Sequence, residues 1–322
     1  MNVYVCYREK DGISLSNTTL VMTEREIEQL IERYQSNKIE RNAPGVRFCF
    51  KVGTVTVTIY NSKKVLFQGG GAAELAQQFG SPNAPSPKRP STKTTETHLP
   101  ENLAALSVIG SDETGTGDYF GPITVTACFV PASEIGWVTE YGVKDSKMLT
   151  DDLMRQMAPA LKESLIHSTL VLPNPKYNEL QASGMSQGKM KGMMHNQALL
   201  HVLRKLDDTP YDYILIDQFA EASTYYRYLS DVPTVVNERV LFATKAEQIH
   251  VSVAAASILA RVAFLEEMDQ LSERAGVTIP KGASAKVDQV AARIWKQQGE
   301  DVLRSMTKWH FANTLKAKKK LT

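Results

Sequence analysis

The sequence predicts an α/β protein in two parts: a large C-terminal domain built on a mixed sheet with flanking helices, and a small α+β domain ahead of it. Three observations predict this. Residues 81–100 are rich in Pro, Ser and Thr and almost devoid of large apolar side chains, which is the composition of a linker. Before that stretch, apolar residues alternate with period two from Val46 to Tyr60, the pattern of a sheet with one buried face. After it, short apolar runs alternate with longer helical segments, the order that builds α/β layers. The expected boundaries are 1–80 for the small domain, 81–103 for the linker and 104–322 for the large domain.

In the small domain, Val3–Tyr7 reads as a strand. Thr23 is placed to cap a helix running to about Asn37, with Glu26 three positions on as its capping-box partner. Val46–Val52 and Thr54–Tyr60 flank Gly53 and read as a hairpin. Val65–Phe67 adds a strand and Ala72–Phe79 a helix. In the hairpin, Val46, Phe48 and Phe50 share a face with Val55, Val57 and Ile59. The opposite face carries Arg47 and Lys51, then Thr54, Thr56, Thr58 and Tyr60. No acidic residue occurs from Arg41 to Ala73, a stretch that also holds Lys63 and Lys64. A basic, hydroxyl-bearing face suits a nucleic-acid backbone, with Arg47 and Lys51 as contact residues. Taken alone it equally suits an ordinary solvated sheet face.

In the large domain, Leu106–Ser111 and Ile123–Val130 are the first expected strands. A helix follows from Thr150 to about Ser164, then a strand at Thr169–Leu172 and a helix at Met190–Leu206. Tyr213–Asp217 is a short apolar strand that ends in an acid. Val251–Asp269 is a long helix whose Ala254, Ala255, Ala256, Ser257 and Ala260 allow close packing against a neighbour. Gln289–Gln298 is a further helix.

With 322 residues the chain is long enough for two domains with cores of their own. No apolar run approaches the roughly 20 residues of a membrane span, and Met1–Cys6 lacks a signal-peptide pattern. The three cysteines, Cys6, Cys49 and Cys128, have no metal-site spacing, which favours a reducing cytoplasm over a disulfide scaffold. A net charge of +2 says little about partners. No feature demands a protein partner, and a monomer is expected.

The chemistry centres on Ile109-Gly110-Ser111-Asp112-Glu113-Thr114-Gly115-Thr116-Gly117-Asp118-Tyr119-Phe120-Gly121-Pro122. Two adjacent carboxylates stand where an apolar strand stops. Acids there are costly to bury unless something compensates them, as a divalent cation does. Gly115 and Gly117 bare the backbone so that another backbone can approach. Metal beside a bare backbone suits a phosphodiester. Asp217 ends a second apolar strand, and Lys245-Ala246-Glu247 precedes the alanine-rich helix. Spacing alone does not join these acids into one cluster: Asp217 also reads as a strand-end cap and Glu247 as a surface residue.

The run Gly110–Pro122 resembles the opening motif of the type 2 ribonucleases H, the ribonuclease HII and HIII families, in which an Asp-Glu pair precedes a Gly-X-Gly loop. The resemblance continues in order. Lys144-Asp145-Ser146-Lys147-Met148-Leu149 is similar to the family's Asp-Ser-Lys-X-Leu motif. Asp217 matches the acid ending a central strand. Lys245-Ala246-Glu247 matches the step before the long helix, and Val253–Arg261 matches the helix itself. Three features lean towards the HIII side. Glu247 stands where HII-like enzymes carry Asp, and Thr116 where they usually carry Arg. Pro280-Lys281-Gly282-Ala283-Ser284 stands where they carry Lys-Gly-Tyr, whose tyrosine senses an RNA–DNA junction. The small first domain fits the HIII extension, which resembles a TATA-box-binding-protein fold and grips the hybrid.

The resemblance implies a ribonuclease H-like fold and an endonuclease that cuts the RNA strand of an RNA/DNA hybrid to 5′-phosphate and 3′-hydroxyl ends. It joins Asp112, Glu113, Asp217 and Glu247 as the catalytic acids holding two Mg²⁺ ions, with Mn²⁺ as the alternative metal. It makes Gly115, Thr116 and Gly117 the readers of the 2′-hydroxyl. Lys144, Ser146 and Lys147 become phosphate-contact candidates, with Asn196 a weaker substrate contact. His195 reads as structural, and Asp118 as orienting the loop. The rival readings are an HII-like enzyme incising at single embedded ribonucleotides, a non-catalytic hybrid-binding protein, and a DNA nuclease with the same two-metal chemistry.

Overall fold

A computed structural model of the chain describes residues 6–8, 15–40, 45–79, 99–143 and 149–321. The chain divides into two compact units, Met1–Thr94 and Thr95–Thr322.

Among the described residues, the first unit is a five-stranded antiparallel sheet with two α-helices. Its elements run β1 (Cys6–Arg8), β2 (Leu15–Val21), α1 (Glu24–Arg33), β3 (Val46–Val52), β4 (Val55–Tyr60), β5 (Lys64–Gln68) and α2 (Ala72–Gln77), with strand order β1-β2-β5-β4-β3. Thr23 caps α1 in a full capping box: its hydroxyl accepts from Glu26 N, and Glu26 Oε2 accepts from Thr23 N at 2.7 Å. The helix ends at Arg33, and a single 3-10 turn takes the chain to Asn37. The hairpin across Gly53 forms as expected, with Val52 opposite Val55. Its apolar face packs Phe50, Val57 and Ile59 against Ile27 and Leu30 of α1 and Ala72 of α2. Strand β2 was not anticipated, because Ser16-Asn17-Thr18-Thr19 lacks apolar alternation; its backbone pairing with β5 makes it a strand. Of the expected Val3–Tyr7 strand, residues 3–5 lie outside the described residues.

The second unit contains β6 (Val108–Thr114), β7 (Ile123–Val130), α3 (Ile135–Glu140), α4 (Asp151–Ser164), β8 (His167–Leu172), α5 (Asn174–Ala182), α6 (Gln187–Leu206), β9 (Tyr213–Asp217), α7 (Ala222–Tyr228), β10 (Val240–Ala243), α8 (Val251–Ala275), α9 (Ala285–Gln298), α10 (Glu300–Met306) and α11 (Ala312–Lys318). The sheet order is β10-β9-β6-β7-β8. Strands β9 and β10 run parallel to β6, while β7 and β8 form an antiparallel meander beside it, so the sheet is mixed. One face, through Ile109, Val125, Ala127, Ile214 and Ile216, packs on Ala198, Leu199 and Val202 of α6. The other face meets α8: Cys128 and Val130 contact Ala254, Ala255 and Ile258, and Val108 and Leu215 contact Val253.

Helix α8 lies close enough to β6 that a Cβ on Gly110 would stand 2.3 Å from the backbone of Ser252 and Val253. Glycine in the strand and small residues in the helix are therefore two halves of one contact. A satellite core of Tyr119, Phe120, Phe264, Met268, Val287, Ile294 and Leu303 joins α8 to α9 and α10. The elements that sequence reading passed over, β10, α3, α5, α7, α10 and α11, have between four and nine residues each. Elements this short carry too few turns of periodicity to stand out, and their packing holds them in place.

Candidate active site

Parallel pairing brings the acids together. Ser111 of β6 lies opposite Ile216 of β9, so Asp112 and Asp217 follow at the same level of the sheet. Asp217 in turn lies opposite Ala243 of β10. The chain leaves β10, passes through Lys245 in the left-handed region (φ 56°) and enters a 3-10 turn, Ala246–Gln248, that carries Glu247. Asp217 Oδ1 accepts from Ala246 N at 2.9 Å, so one acid caps the turn that presents the other. All four carboxylates line one cavity of about 480 Å³, shared with Gly115, Thr116, Gly117, Asp118, Ser257 and Arg261.

The carboxylates are not alike. Asp112 is 8% exposed, and its Oδ1 accepts from Glu113 N at 2.7 Å. Burial first, then the Glu113 charge and more weakly Asp217, push its carboxyl up to about 7 against the pull of the Ser257 hydroxyl. For Glu113, burial also works upwards, but His195 and Lys191 outweigh it and hold the carboxyl below its ordinary value. Glu113 Oε1 accepts from Lys191 Nζ at 2.6 Å, and Oε2 meets His195 Nε2 at 2.9 Å. His195 Nδ1 stands 2.6 Å from the Ser111 hydroxyl. With a proton on Nε2 the imidazole donates to Glu113, while Nδ1 meets the Ser111 hydroxyl. Phe219 backs the pair: its ring stacks on His195, and Lys191 Nζ lies 4.1 Å from its centroid.

Among the described residues, no three His, Cys, Asp or Glu side chains are grouped tightly enough to hold an ion as they stand. Both oxygens of Glu113 already engage nitrogen donors. The four acids therefore share a cavity without forming a closed cage.

The loop after β6 separates its two glycines by cause. A Cβ on Gly115 (φ 92°) would stand 2.2 Å from the Pro122 carbonyl oxygen and 3.0 Å from the Phe264 ring. The protein's own packing requires glycine there. Gly117 has no left-handed backbone, and a Cβ on it would meet nothing within 4 Å. It faces the cavity bare without any internal need to be so.

Other expected residues fall in different places. Lys144, Ser146 and Lys147 lie outside the described residues. Asn196 needs correcting: it is 1% exposed, donates to the Thr234 carbonyl at 2.8 Å and accepts from Val236 N at 2.9 Å. Its amide is used up in holding that loop, and it does not line the cavity. In the first unit, Lys51 is exposed, whereas Arg47 is paired with Glu24. The face they share is less open than its sequence suggests, because Cys49 and Thr58 at its centre are 2% and 0% exposed. Asp118 accepts from Gly282 N, and Tyr119 N donates to the Gly282 carbonyl at 2.9 Å, which sets Lys281-Gly282-Ala283 against the loop.

Sequence reading missed Lys191, Ser257, Arg261 and Asp151 and undervalued His195. One signal was available: Lys191 and His195 are four apart on α6 and so share a helix face. Arg261 Nε donates to Asp151 Oδ1 at 2.9 Å, and Lys281 also pairs with Asp151.

Comparison with known proteins decides the family. The model of the family described as Ribonuclease HII matches residues 109–314. A Ribonuclease HIII of Lysinibacillus sphaericus is 54% identical over 95% of this chain and 99% of its own length. The chain belongs to the type 2 ribonuclease H family, on its ribonuclease HIII branch. It is therefore an endoribonuclease. A Ribonuclease HIII of Bacillus licheniformis is 48% identical over 95% of this chain and 98% of its own. The solved structure of Bst-RNase HIII in complex with Mn²⁺ superposes with a TM-score of 0.66 at 44% identity, covering 94% of this chain and 98% of that one. Residues 17–92 match a further family, described as a domain of unknown function (DUF3378). No helix among the described residues is long and apolar enough to cross a membrane.

Proposed function

We propose that this endoribonuclease hydrolyses the RNA strand of RNA/DNA hybrids, leaving 5′-phosphate and 3′-hydroxyl ends, and that Asp112, Glu113, Asp217 and Glu247 hold two divalent cations, Mg²⁺ or in its place Mn²⁺. The donor set supports this, because four carboxylates without thiolate are the hard oxygen ligands such ions take. Asp112 supports it as well: a carboxyl raised to about 7 by burial and like charge is one that a cation returns to its ionised form. The Mn²⁺ complex of the related Bst-RNase HIII agrees with that choice of metal. When bound, such ions acidify an attacking water and stabilise the departing 3′ oxygen.

The chain's own residues bind and orient. Ser257 and Glu113 N fix Asp112, while His195 and Lys191 fix Glu113. The bare backbone of Gly115–Gly117, with the Thr116 hydroxyl, contacts the sugar edge and selects the strand that carries 2′-hydroxyls. Arg261 offers a charge-assisted donor to a phosphate at the cavity wall. Lys144, Ser146 and Lys147 supply further phosphate contacts. Residues 1–80 act as a hybrid-binding domain through Lys51 and its neighbours, joined by the 81–103 linker, and the protein works as a monomer.

One observation carries the reading: four carboxylates brought to one end of the sheet by β6, β9 and the turn before α8 face a cavity whose other wall is a glycine loop. The test is cleavage of a uniform RNA/DNA hybrid, duplex DNA, duplex RNA and duplex DNA with one ribonucleotide, each with Mg²⁺ or EDTA. Metal-dependent cutting of the hybrid's RNA strand is expected, and equal cutting of duplex DNA would overturn the assignment.

A further inference from the structure

Among the residues that hold the loop joining β6 to β7 are two side chains that do not line the acid cavity and that bond its carbonyls, Gln187 and Lys308. The β6–β7 ladder runs from Val108–Val130 to Thr114–Thr124, so residues 115–122 lie beyond it and need other anchors. Lys308, between α10 and α11, is fully buried. Its ammonium donates to three carbonyls of this one loop: Asp118 at 2.9 Å, Gly121 at 2.5 Å and Pro122 at 3.3 Å. Its backbone N–H donates to the Tyr119 carbonyl at 2.8 Å. Each of the three ammonium hydrogens thus has an acceptor. On the other side, Gln187, the first residue of α6, donates from Nε2 to the Thr116 carbonyl and to the Tyr177 hydroxyl, both at 3.1 Å.

A buried ammonium is costly, and an apolar side chain would pack there at less expense but remove the donor to the Asp118 and Pro122 carbonyls and leave Gly121 O to Asn174 alone. At its tip Gly117 has no neighbour within 4 Å for a Cβ to meet, and beyond it Asp118 and Tyr119 are also tied to Gly282. The height of the loop above the four carboxylates is set by these anchors together, with Gln187 reaching the Thr116 carbonyl itself.

We propose that Gln187 and Lys308 are positioning residues for the Gly115–Gly117 loop, fixing its distance from the carboxylates and thereby the preference for a strand bearing 2′-hydroxyls. This rests on the reading of that loop as the sugar-contacting surface. Gln187 holds the centre of the loop, and Lys308 holds the turn that returns it to β7.

The test uses the full chain carrying Gln187→Met, which keeps the volume and removes the donor, beside Lys308→Met and Lys308→Arg. Unfolding temperature, Mn²⁺ affinity without substrate, KM and kcat on a uniform hybrid, and binding of hybrid against duplex DNA in Ca²⁺ are measured. For Gln187→Met, loss of one net hydrogen bond predicts a KM raised roughly fivefold, kcat within about twofold and hybrid preference lowered by a similar factor. Mn²⁺ affinity and unfolding temperature stay at the native values, and Lys308→Arg shows the same split. If Lys308→Met does not fold, Gln187→Met alone decides. Native KM and native hybrid preference in Gln187→Met would overturn the proposal, as would a KM rise matched by a loss of Mn²⁺ affinity. A native enzyme that binds hybrid and duplex DNA equally would instead overturn the reading of the loop, and the proposal with it.

Discussion

Replacing Asp112 with Asn should abolish cleavage and yet stabilise the metal-free protein. Asp112 is 8% exposed and sits beside Glu113 and Asp217, so its carboxyl rises from an ordinary 3.8 to about 7. In the unfolded chain it loses its proton near the ordinary value. Between about pH 4 and about pH 7 the folded state therefore holds the extra proton. The stability this contributes is fully present below about pH 4 and is lost as pH rises through about 7. A carboxyl that ionises about three pH units late costs about 4 kcal/mol once charged. Asn carries no charge and can still accept from Glu113 N, so it should recover about 2–4 kcal/mol at about pH 8 and little at about pH 4. For a unit of this size that raises the unfolding temperature of Thr95–Thr322 by roughly 5–10 °C. The assay is thermal unfolding in EDTA at both pH values, repeated with Mg²⁺. The metal should narrow or reverse the gap, because it binds the native acid set more tightly than the variant's. A variant no more stable than the native protein in EDTA at about pH 8, with the same gap at both pH values, would refute the account of Asp112 as a strained buried charge.

The remaining predictions concern the other acids, the loop and the first unit. Glu247→Gln should remove most cleavage while shifting the unfolding temperature by no more than about 2 °C; near-native activity would remove Glu247 from the acid set, leaving Glu266 and Glu267 to be tested. Gly115→Ala should lower stability by on the order of 3 kcal/mol, since its Cβ would meet the Pro122 carbonyl, whereas Gly117→Ala should unfold like the native protein but raise KM for the hybrid roughly tenfold. Equal effects of the two substitutions, read by calorimetry and steady-state kinetics, would break the distinction. Deleting residues 1–80 should weaken hybrid binding more than saturated turnover, and Lys51→Ala should flatten the salt dependence of binding by roughly one unit of slope, with Arg47→Ala acting less because Glu24 already holds Arg47. The uniform hybrid should be cut at least about tenfold faster than a duplex with one ribonucleotide, because Ala283 offers no ring to stack on a junction; comparable rates would favour a junction enzyme.

What the sequence determined by itself was local. The Thr23–Glu26 capping box, the hairpin over Gly53 and the β-rich run of β7 follow from residues within a few positions of one another, and each forms as expected. Local pattern marked only the Asp112-Glu113 pair before its glycine loop; by spacing Asp217 also reads as a strand-end cap and Glu247 as a surface residue, and it was the family resemblance that joined the four. Tertiary structure decided which side chains meet. Nothing in the spacing of Glu113 and His195, 82 positions apart, announces their contact, and it exists because α6 packs across the face of the sheet that carries β6. The same holds for Lys308, which reaches the Gly121 carbonyl from 187 positions away. Asn196 shows the converse: one residue after His195 on the same helix, it points to the Thr234–Val236 loop. The two glycines of one motif also diverge, since only the packed structure places Phe264 and the Pro122 carbonyl against Gly115 and leaves Gly117 facing open space. Periodicity fixes an element and the face it buries, but the order and direction of strands fix what that face meets, and that order is set by long-range pairing between segments that carry no sign of each other.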